Sequence, residues 1–365
     1  MADEPKLSFE GQGLRLDTAA DADVICQKLS EAPIKTLVLE GNTIGIEAAE
    51  AIGKALAKQP FLRQARFKDI FTSRGRTEIP IAINHLLTGI SDSGTELTLL
   101  DLSDNAIGPI GAPSIFKFLA TNSSKKIEKL YLNNCGLGPE GSSLISVPIS
   151  ELRLKEFICG RNRLENKGAT FMFAAMREMN TLEILKMPQN GINVEGISMI
   201  MKALLKNLNT IRILDLSDNT LKVKGAEALE KVIKEAKNLE VLKLDDALLG
   251  NEGFSIICDA ITQSKYAKNT LMEASFEGNE LKGQKIIDLI DLTFSQCQGG
   301  FSLDLLDNEF TQEQLQRLQT LEEKFTLIID DPEDMDEEYG DDENSDVHNG
   351  TGDGEDDDEQ DGDDD

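Results

Sequence analysis

The sequence predicts an α/β solenoid, a curved stack of strand–helix units followed by an acidic tail, and three observations predict it. A twelve-residue pattern recurs with apolar residues at places 1, 4, 6 and 11, as in IKTLVLEGNTIG, LTLLDLSDNAIG and IEKLYLNNCGLG, where place 9 is Asn or Cys. The ninth places are Asn42, Ile70, Asn105, Cys135, Asn162, Asn190, Asn219, Ala247, Asn279 and Asn308, at steps of 27 to 35 residues, most of them 28 or 29. Each pattern is followed by residues at helical spacing: in KGAEALEKVIKEAKN, Ala226, Leu229, Val232 and Ile233 share one face. A repeat array at this period overrides the two or three domains that 365 residues would otherwise suggest.

Within a unit, places 4 and 6, such as Leu214 and Leu216, alternate inward along a short parallel strand. Asn219 at place 9 then turns inward, where its amide serves loop backbone groups that no ladder reaches, and Leu221 closes the turn. A small residue six places after the ninth (Ala48, then Gly111, Gly141, Gly168, Gly196, Gly225 and Gly253) lets the helix start pack closely. These are leucine-rich repeats, ribonuclease-inhibitor-like in their length of about 28–29 residues, with room for a full helix, so the stack is expected to be a β/α horseshoe. LSFEGQGLRL, residues 7–16, reads as an atypical first strand, giving an N-terminal cap at about 7–30. About ten repeats follow, and TQEQLQRLQTLEEKF carries a polar capping helix at about 311–325. The repeat domain thus covers 1–329. Residues 330–365 hold 21 acidic and no basic side chains and little to bury, which predicts a disordered tail. Its DGEDDDEQDGDDD lacks the spaced ligands and closing Glu of a calcium loop.

The charge is concentrated in that tail. The formal net charge is −29, from 66 acidic and 37 basic residues, whereas residues 1–329 hold 45 against 37, a net of about −8. Five scattered cysteines with no CxxC read as reduced core thiols of an intracellular protein. Two histidines and no HExxH argue against a zinc or His-based catalytic site. No apolar run approaches the ~18 residues of a spanning helix, and no signal-peptide core is present.

Function on such an array belongs on places 7 and 8, which form a continuous ridge because neighbouring strands stack ~4.8 Å apart. Read in order, the ridge is predominantly acidic, with Asp69, Asp104, Asp218 and Asp246 among its members, beside Asn133, Arg161 and Gln189. An acidic ridge repels nucleic acid and free nucleotide and attracts a basic protein surface. No GxxxxGK[ST] loop occurs to cradle a phosphate. One stretch breaks the rule: in RFKDIFTSRGRTEIP, residues 66–80, Ile70 takes the ninth place and an Arg-bearing loop follows. Arg74 in that loop and Asn134 on the ridge stand out. Their ordinary readings are a solvated loop arginine and a turn asparagine, and Arg161 with Arg163 reads as a surface pair balancing nearby acids.

FKDIFTSR, EGNTIG, LSDNAIGP, YLNNCGLGPEG, ICGRNRLEN and KMPQNG together resemble the Ran GTPase-activating proteins, from about Leu7 to the acidic tail. The resemblance implies a GTPase activator and not an enzyme with its own active site. Such a protein has no cofactor of its own and acts on the GTP and Mg held by a Ran-like GTPase in its GTP form, in support of nucleocytoplasmic transport. It places the family's essential arginine at Arg74, the loop's second basic residue at Arg76 and the functional asparagine at Asn134, with Cys135 where the family has a second asparagine. The array would then break at repeat two because its loop is released from structural duty to meet the partner. Arg74 would either enter the partner's site as a finger, worth ~10³–10⁵ in rate, or dock the two surfaces. In the family's understood mechanism there is no finger; on that view Asn134 would hydrogen-bond the partner's own glutamine, which orients the attacking water. Asn134 and Arg74 are therefore the expected catalytic pair, with Asp69, Arg76, Asp104, Asn133, Arg161, Gln189, Asp218 and Asp246 as partner contacts. Repeats two and four lie two strand spacings, ~10 Å, apart, so one GTPase could touch both.

The alternative is a non-catalytic binding module or inhibitor for a basic protein. Ribonuclease-inhibitor-like clamps are far richer in cysteine and carry tryptophan on the binding face, whereas this chain has five Cys and no Trp. A pathogen-sensing receptor would need a nucleotide-binding module, for which no segment remains. No domain of the kind that tethers the animal proteins at nuclear pores is expected after the tail, and no plant-type targeting domain before the repeats. A soluble, cytoplasmic monomer is expected, with a perinuclear position and an accessory Ran-binding protein left open.

Overall fold

The computed structural model describes residues 5–333. Twelve strands of three residues each form one parallel sheet in strict chain order, from Lys6–Ser8 at one edge to Thr326–Ile328 at the other. A helix joins each strand to the next. Place 4 is stacked in register through the array: Leu37 pairs with Ala65, Ala65 with Leu100, and so on through Leu214 and Leu242 to Leu303. Every residue named in that register is fully buried against the helices. Strands at ~4.8 Å and helices that need ~8–10 Å cannot stack evenly, so the array bends with the sheet inside and the helices outside.

The ninth-place amides hold the turns. Asn219 donates to the carbonyls of Met187 and Leu216, both at 3.0 Å, and accepts from the amides of Asn190 and Ile192 at 3.2 and 3.0 Å. Cys135 keeps a weaker version, its Sγ 3.2 Å from Leu102 O. The glycines six places on are required by contact: a Cβ on Gly225 would lie 2.8 Å from the Leu221 Cβ, and on Gly111 2.5 Å from the Ile107 Cγ2. Three helices, Ile79–Asp92, Gly108–Leu119 and Gly138–Ile149, open with Pro in the first turn, where a missing N–H costs nothing.

The ends differ in detail from the sequence expectation. At the N-terminus, Lys6–Ser8 pairs with Thr36–Val38, while Arg15–Leu16 leaves the main sheet and pairs with Thr43–Ile44 in a second, two-stranded sheet. At the other end the expected helix at 311–325 is shorter, Gln312–Gln319, opened by a Thr311/Gln314 capping box. A strand that the sequence did not suggest, Thr326–Ile328, closes the sheet beyond it. The ordered body also passes 329: the Asp307 amide donates to Asp330 Oδ1, Gln312 Nε2 donates to Pro332 O, and Pro332 is buried. The expected disorder of the tail concerns residues 334–365 and lies outside the described residues. Beneath the last repeats runs a phenylalanine spine, Phe254, Phe276, Phe294, Phe301 and Phe325, with consecutive ring centroids 5.0 to 6.3 Å apart. All five cysteines are free thiols, and burial pushes the thiols of Cys135, Cys159 and Cys258 up, that of Cys159 to about 12.

Candidate functional site

The ridge owes its geometry to place 8. Asp69, Asp104, Asn134, Arg161, Gln189, Asp218, Asp246 and Asp307 all have φ between 47° and 57°, in the left-handed region. Asn and Asp enter that region at low cost, which explains their prevalence in the column; for Arg161 and Gln189 the repeat imposes it. The consequence is that each place-8 side chain leaves the sheet edge toward solvent while place 9 turns inward.

Ridge charge divides along its length. In the first repeats it is compensated, because Lys68 Nζ lies 3.1 Å from Glu40 Oε1 and 3.7 Å from Asp104 Oδ2. Glu40, and secondarily Asp104 and Asp101, hold the Lys68 ammonium above its usual range. At the other end it is not. Burial, and then the repulsion of neighbouring carboxylates, raise Asp246 and Glu277 above the usual carboxylate range, and burial does the same for Asp304. Gln189, Asp218 and Asp246 are brought together with Arg163 and Leu248 around an open cleft of about 570 Å³. Arg161 and Arg163 are exposed, and neither forms an ion pair among the described residues, so they do not balance nearby acids as a surface pair would. Charges in the strands and just before them, by contrast, pair between neighbouring repeats: Lys129 with Glu156 and Lys243 with Glu273 in the strands, Lys155 with Glu128 and Arg212 with Glu240 just before them. The uncompensated carboxylates of the later repeats therefore lie along the edge at Asp246 and Glu277, with Asp304 on the adjoining strand.

The loop of repeat two is where sequence reasoning needs correction. Arg74 is not a released side chain. Its side chain is 9% exposed and pairs with Asp17 at 2.5 Å. Its Nε donates to Thr43 Oγ1 at 2.9 Å, and its Nη2 donates to Thr43 O and Leu16 O at 3.0 and 3.3 Å. Both strands of the small N-terminal sheet are thus tied to the loop by one guanidinium. Gly45 makes room for it: a Cβ there would stand 3.0 Å from Nη1. Phe71, buried and bridged to Thr43, pins the loop's start. Arg15, then Arg74, hold the Asp17 carboxyl below its usual range. The tip consists of the exposed Ser73, Gly75, Arg76 and Thr77, and Arg76 has no ion-pair or hydrogen-bond partner among the described residues. It lines a cleft of about 230 Å³ with Pro109, Ile110, Cys135 and Gly136, which sets it beside the Asn134 turn. Asp69, half-buried, accepts from the Thr72 hydroxyl and so helps shape the loop's entry.

Asn134 is exposed, and its Nδ2 donates to Asp104 Oδ1 at 3.0 Å. Asn133 is half-buried, with its N–H on Ser103 Oγ at 3.3 Å. The structure therefore joins Asn134, Asp104 and Arg76 at the edge of repeats two to four, and leaves Arg161, Gln189, Asp218 and Asp246 farther along the same ridge. Asp17 and Thr43 were missed; they lie 57 and 31 residues from Arg74, and no local signal marks them. Among the described residues, no three His, Cys, Asp or Glu side chains converge as a metal would require. No described helix is long and apolar enough to cross a membrane.

Fold and repeat pattern together define a leucine-rich-repeat protein, and the Leucine Rich repeat family matches residues 95–116 and 207–229. Among known proteins, the chain is similar to Ran GTPase-activating protein 1 of Xenopus laevis, at 43% identity over 200 residues, 52% of this chain and 34% of that protein. It is similar to the Ran GTPase-activating protein of Drosophila melanogaster at 39% over 215 residues, 56% of this chain and 36% of that protein. The match to Ran GTPase-activating protein 1 of Saccharomyces cerevisiae is 30% over 303 residues and takes in 78% of this chain and 73% of that one. The chain belongs to the Ran GTPase-activating proteins. It spans about a third of the length of the two animal relatives.

Proposed function

We propose that this protein stimulates GTP hydrolysis by the small GTPase Ran, completing its partner's site without a cofactor of its own, and acts from the cytoplasm in support of nucleocytoplasmic transport. The observation that carries the reading is an exposed Arg76 that lines one cleft with Cys135 and Gly136, next to the exposed Asn134, toward one end of a largely acidic ridge. A basic GTPase surface is drawn to the uncompensated carboxylates of the later repeats. Docked there, the partner meets the repeat-two loop and Asn134 together. Asn134 orients the partner's glutamine, which in turn orients the attacking water; GTP and Mg stay with the partner throughout. Arg74 serves this by holding the loop against the N-terminal sheet, so that Arg76 and the tip meet the partner preshaped. Preorganisation of this kind lowers the cost of ordering on binding.

The test is phosphate release from GTP-loaded Ran with this protein present at a hundredth of the GTPase concentration. Turnover of the whole Ran pool supports activation. Stoichiometric binding without acceleration would establish a clamp instead. Arg76→Ala is expected to raise the half-saturating concentration about tenfold, the equivalent of ~1.4 kcal/mol, with the saturated rate largely kept.

A further inference from the structure

An exposed asparagine has two different ends. Its amide can offer N–H donors or a carbonyl acceptor to a partner, and a freely turning side chain offers both in alternation. Asn134 does not turn freely. Its Nδ2 donates to Asp104 Oδ1 at 3.0 Å, and a carboxylate can only accept, so the NH₂ end, with one of its two N–H groups engaged, is turned to Asp104 and Oδ1 is turned away from it, toward a partner. Asp104 is itself fixed at three points. Its backbone is left-handed at φ 57°, its N–H donates to Asn133 O at 2.8 Å, and its other carboxylate oxygen faces Lys68 at 3.7 Å. Lys68 is held in turn by Glu40 at 3.1 Å. Among the described residues, no other neighbouring pair in the place-8 column is joined side chain to side chain. The Asp218 and Asp246 carboxylates, one repeat apart, repel.

We infer that Asp104 is a positioning residue: it sets the Asn134 amide so that a carbonyl oxygen, not an NH₂ group, meets the GTPase. This rests on the activator reading above and gives it a direction. A glutamine that orients water must turn its own carbonyl to the water's O–H, which leaves its NH₂ group in need of an acceptor. Asn134 Oδ1 supplies one. Presented the other way round, Asn134 would compete with the water for the glutamine carbonyl and pull it from the attack line. Lys68 secures the arrangement by restraining the Asp104 carboxylate from the far side.

The experiment separates geometry from charge. Asp104→Ala and Asp104→Asn remove the same ridge charge, but only the asparagine keeps an oxygen for Asn134 Nδ2. In single-turnover hydrolysis with GTP-loaded Ran over a range of activator concentrations, both variants are expected to raise the half-saturating concentration alike, by about two- to fivefold. Asp104→Ala alone is expected to lower the saturated rate, by about tenfold, with Asp104→Asn within about twofold of the unsubstituted protein. Added to Asn134→Ala, Asp104→Ala is expected to cost no further rate. In the free protein, the Asn134 side-chain amide resonances are expected to move in Asp104→Ala and to stay close to their place in Asp104→Asn. Equal rates for the two Asp104 variants at saturation, or additive losses in the double variant, overturn the inference while the activator reading stands. An unsubstituted protein that leaves Ran's rate unchanged overturns the activator reading and this inference together.

Discussion

Replacing Arg74 by alanine removes three hydrogen bonds that bind the repeat-two loop to the N-terminal sheet, those to Thr43 Oγ1, Thr43 O and Leu16 O. Bonds from a charged donor are worth ~1.5–3 kcal/mol each. The Leu16 carbonyl keeps a second partner, the Gly45 amide at 2.7 Å, and water can reach what is left. The net loss is therefore about 2–3 kcal/mol, or roughly 30- to 150-fold in local opening. The ion pair with Asp17, whose carboxylate is largely exposed, is a weaker further tie that stands outside that figure. Because each repeat touches only its neighbours, the loss stays local and the global transition is nearly unmoved. Amide exchange reads it directly. Thr43 and Gly45, bonded to Leu14 O and Leu16 O at 2.8 and 2.7 Å, should exchange faster by that factor, with the Asn190 amide of repeat six unchanged as control. Stimulation of Ran should fall steeply in the same variant. Asp17→Ala, which leaves Arg74 present with one tie fewer, should lower stimulation in the same direction and by less. Lost stimulation with unaltered exchange at Thr43 and Gly45 would refute the pinning role, and so would Asp17→Ala activity at or above that of the unsubstituted protein. Either result would return Arg74 to direct action on the partner, with ~10³–10⁵ in the saturated rate as the mark of a finger.

Asn219→Leu strands four backbone groups buried in two repeats and should cost a few kcal/mol in urea unfolding, whereas the outward Asp218→Ala should stay within about ±0.5 kcal/mol. Asp246, Glu277 and Asp304 have carboxyls raised in the folded state, so they favour the fold below the ordinary carboxylate value of ~4 and lose that contribution as pH rises through their raised values. A bound cationic surface favours their ionised form, so affinity for Ran should rise with pH across the same window and level off above it. Half-saturation measured from the ordinary carboxylate value upward to neutrality should show this, and the slope should shrink in Asp246→Asn. Ending the chain after Glu333 removes 18 acidic and no basic residues, taking the net charge from −29 to −11. The thermal transition should be unchanged and association with Ran slower at low salt, whereas ending it after Ile329 should also loosen the last strand, which is read by exchange at Leu305.

The sequence by itself determined the array. Its period, the inward places 4, 6 and 9, the glycine at each helix start and the edge ridge are written locally, within a dozen residues that repeat. Packing each unit on an identical neighbour leaves little else to decide. Asn134 was legible for the same reason, since its place in the repeat fixes its outward direction. Tertiary structure decided what lies outside the repeat. Arg74 looked free because nothing near it in the chain could hold a guanidinium; its partners come from an N-terminal segment that folds back 57 residues away. The closing strand Thr326–Ile328 was equally hidden, because three residues after a polar helix carry no period of their own and become a strand only against the edge of Ser302–Asp304. The direction of the Asn134 amide belongs to the same class. Place 8 aims it at solvent, but which of its ends faces out depends on a carboxylate one repeat earlier, 30 residues back, and on the lysine that steadies it. Direction along a ridge follows from the repeat; the charge and hydrogen-bond partners that give a side chain its chemistry come from neighbours only the fold brings within reach.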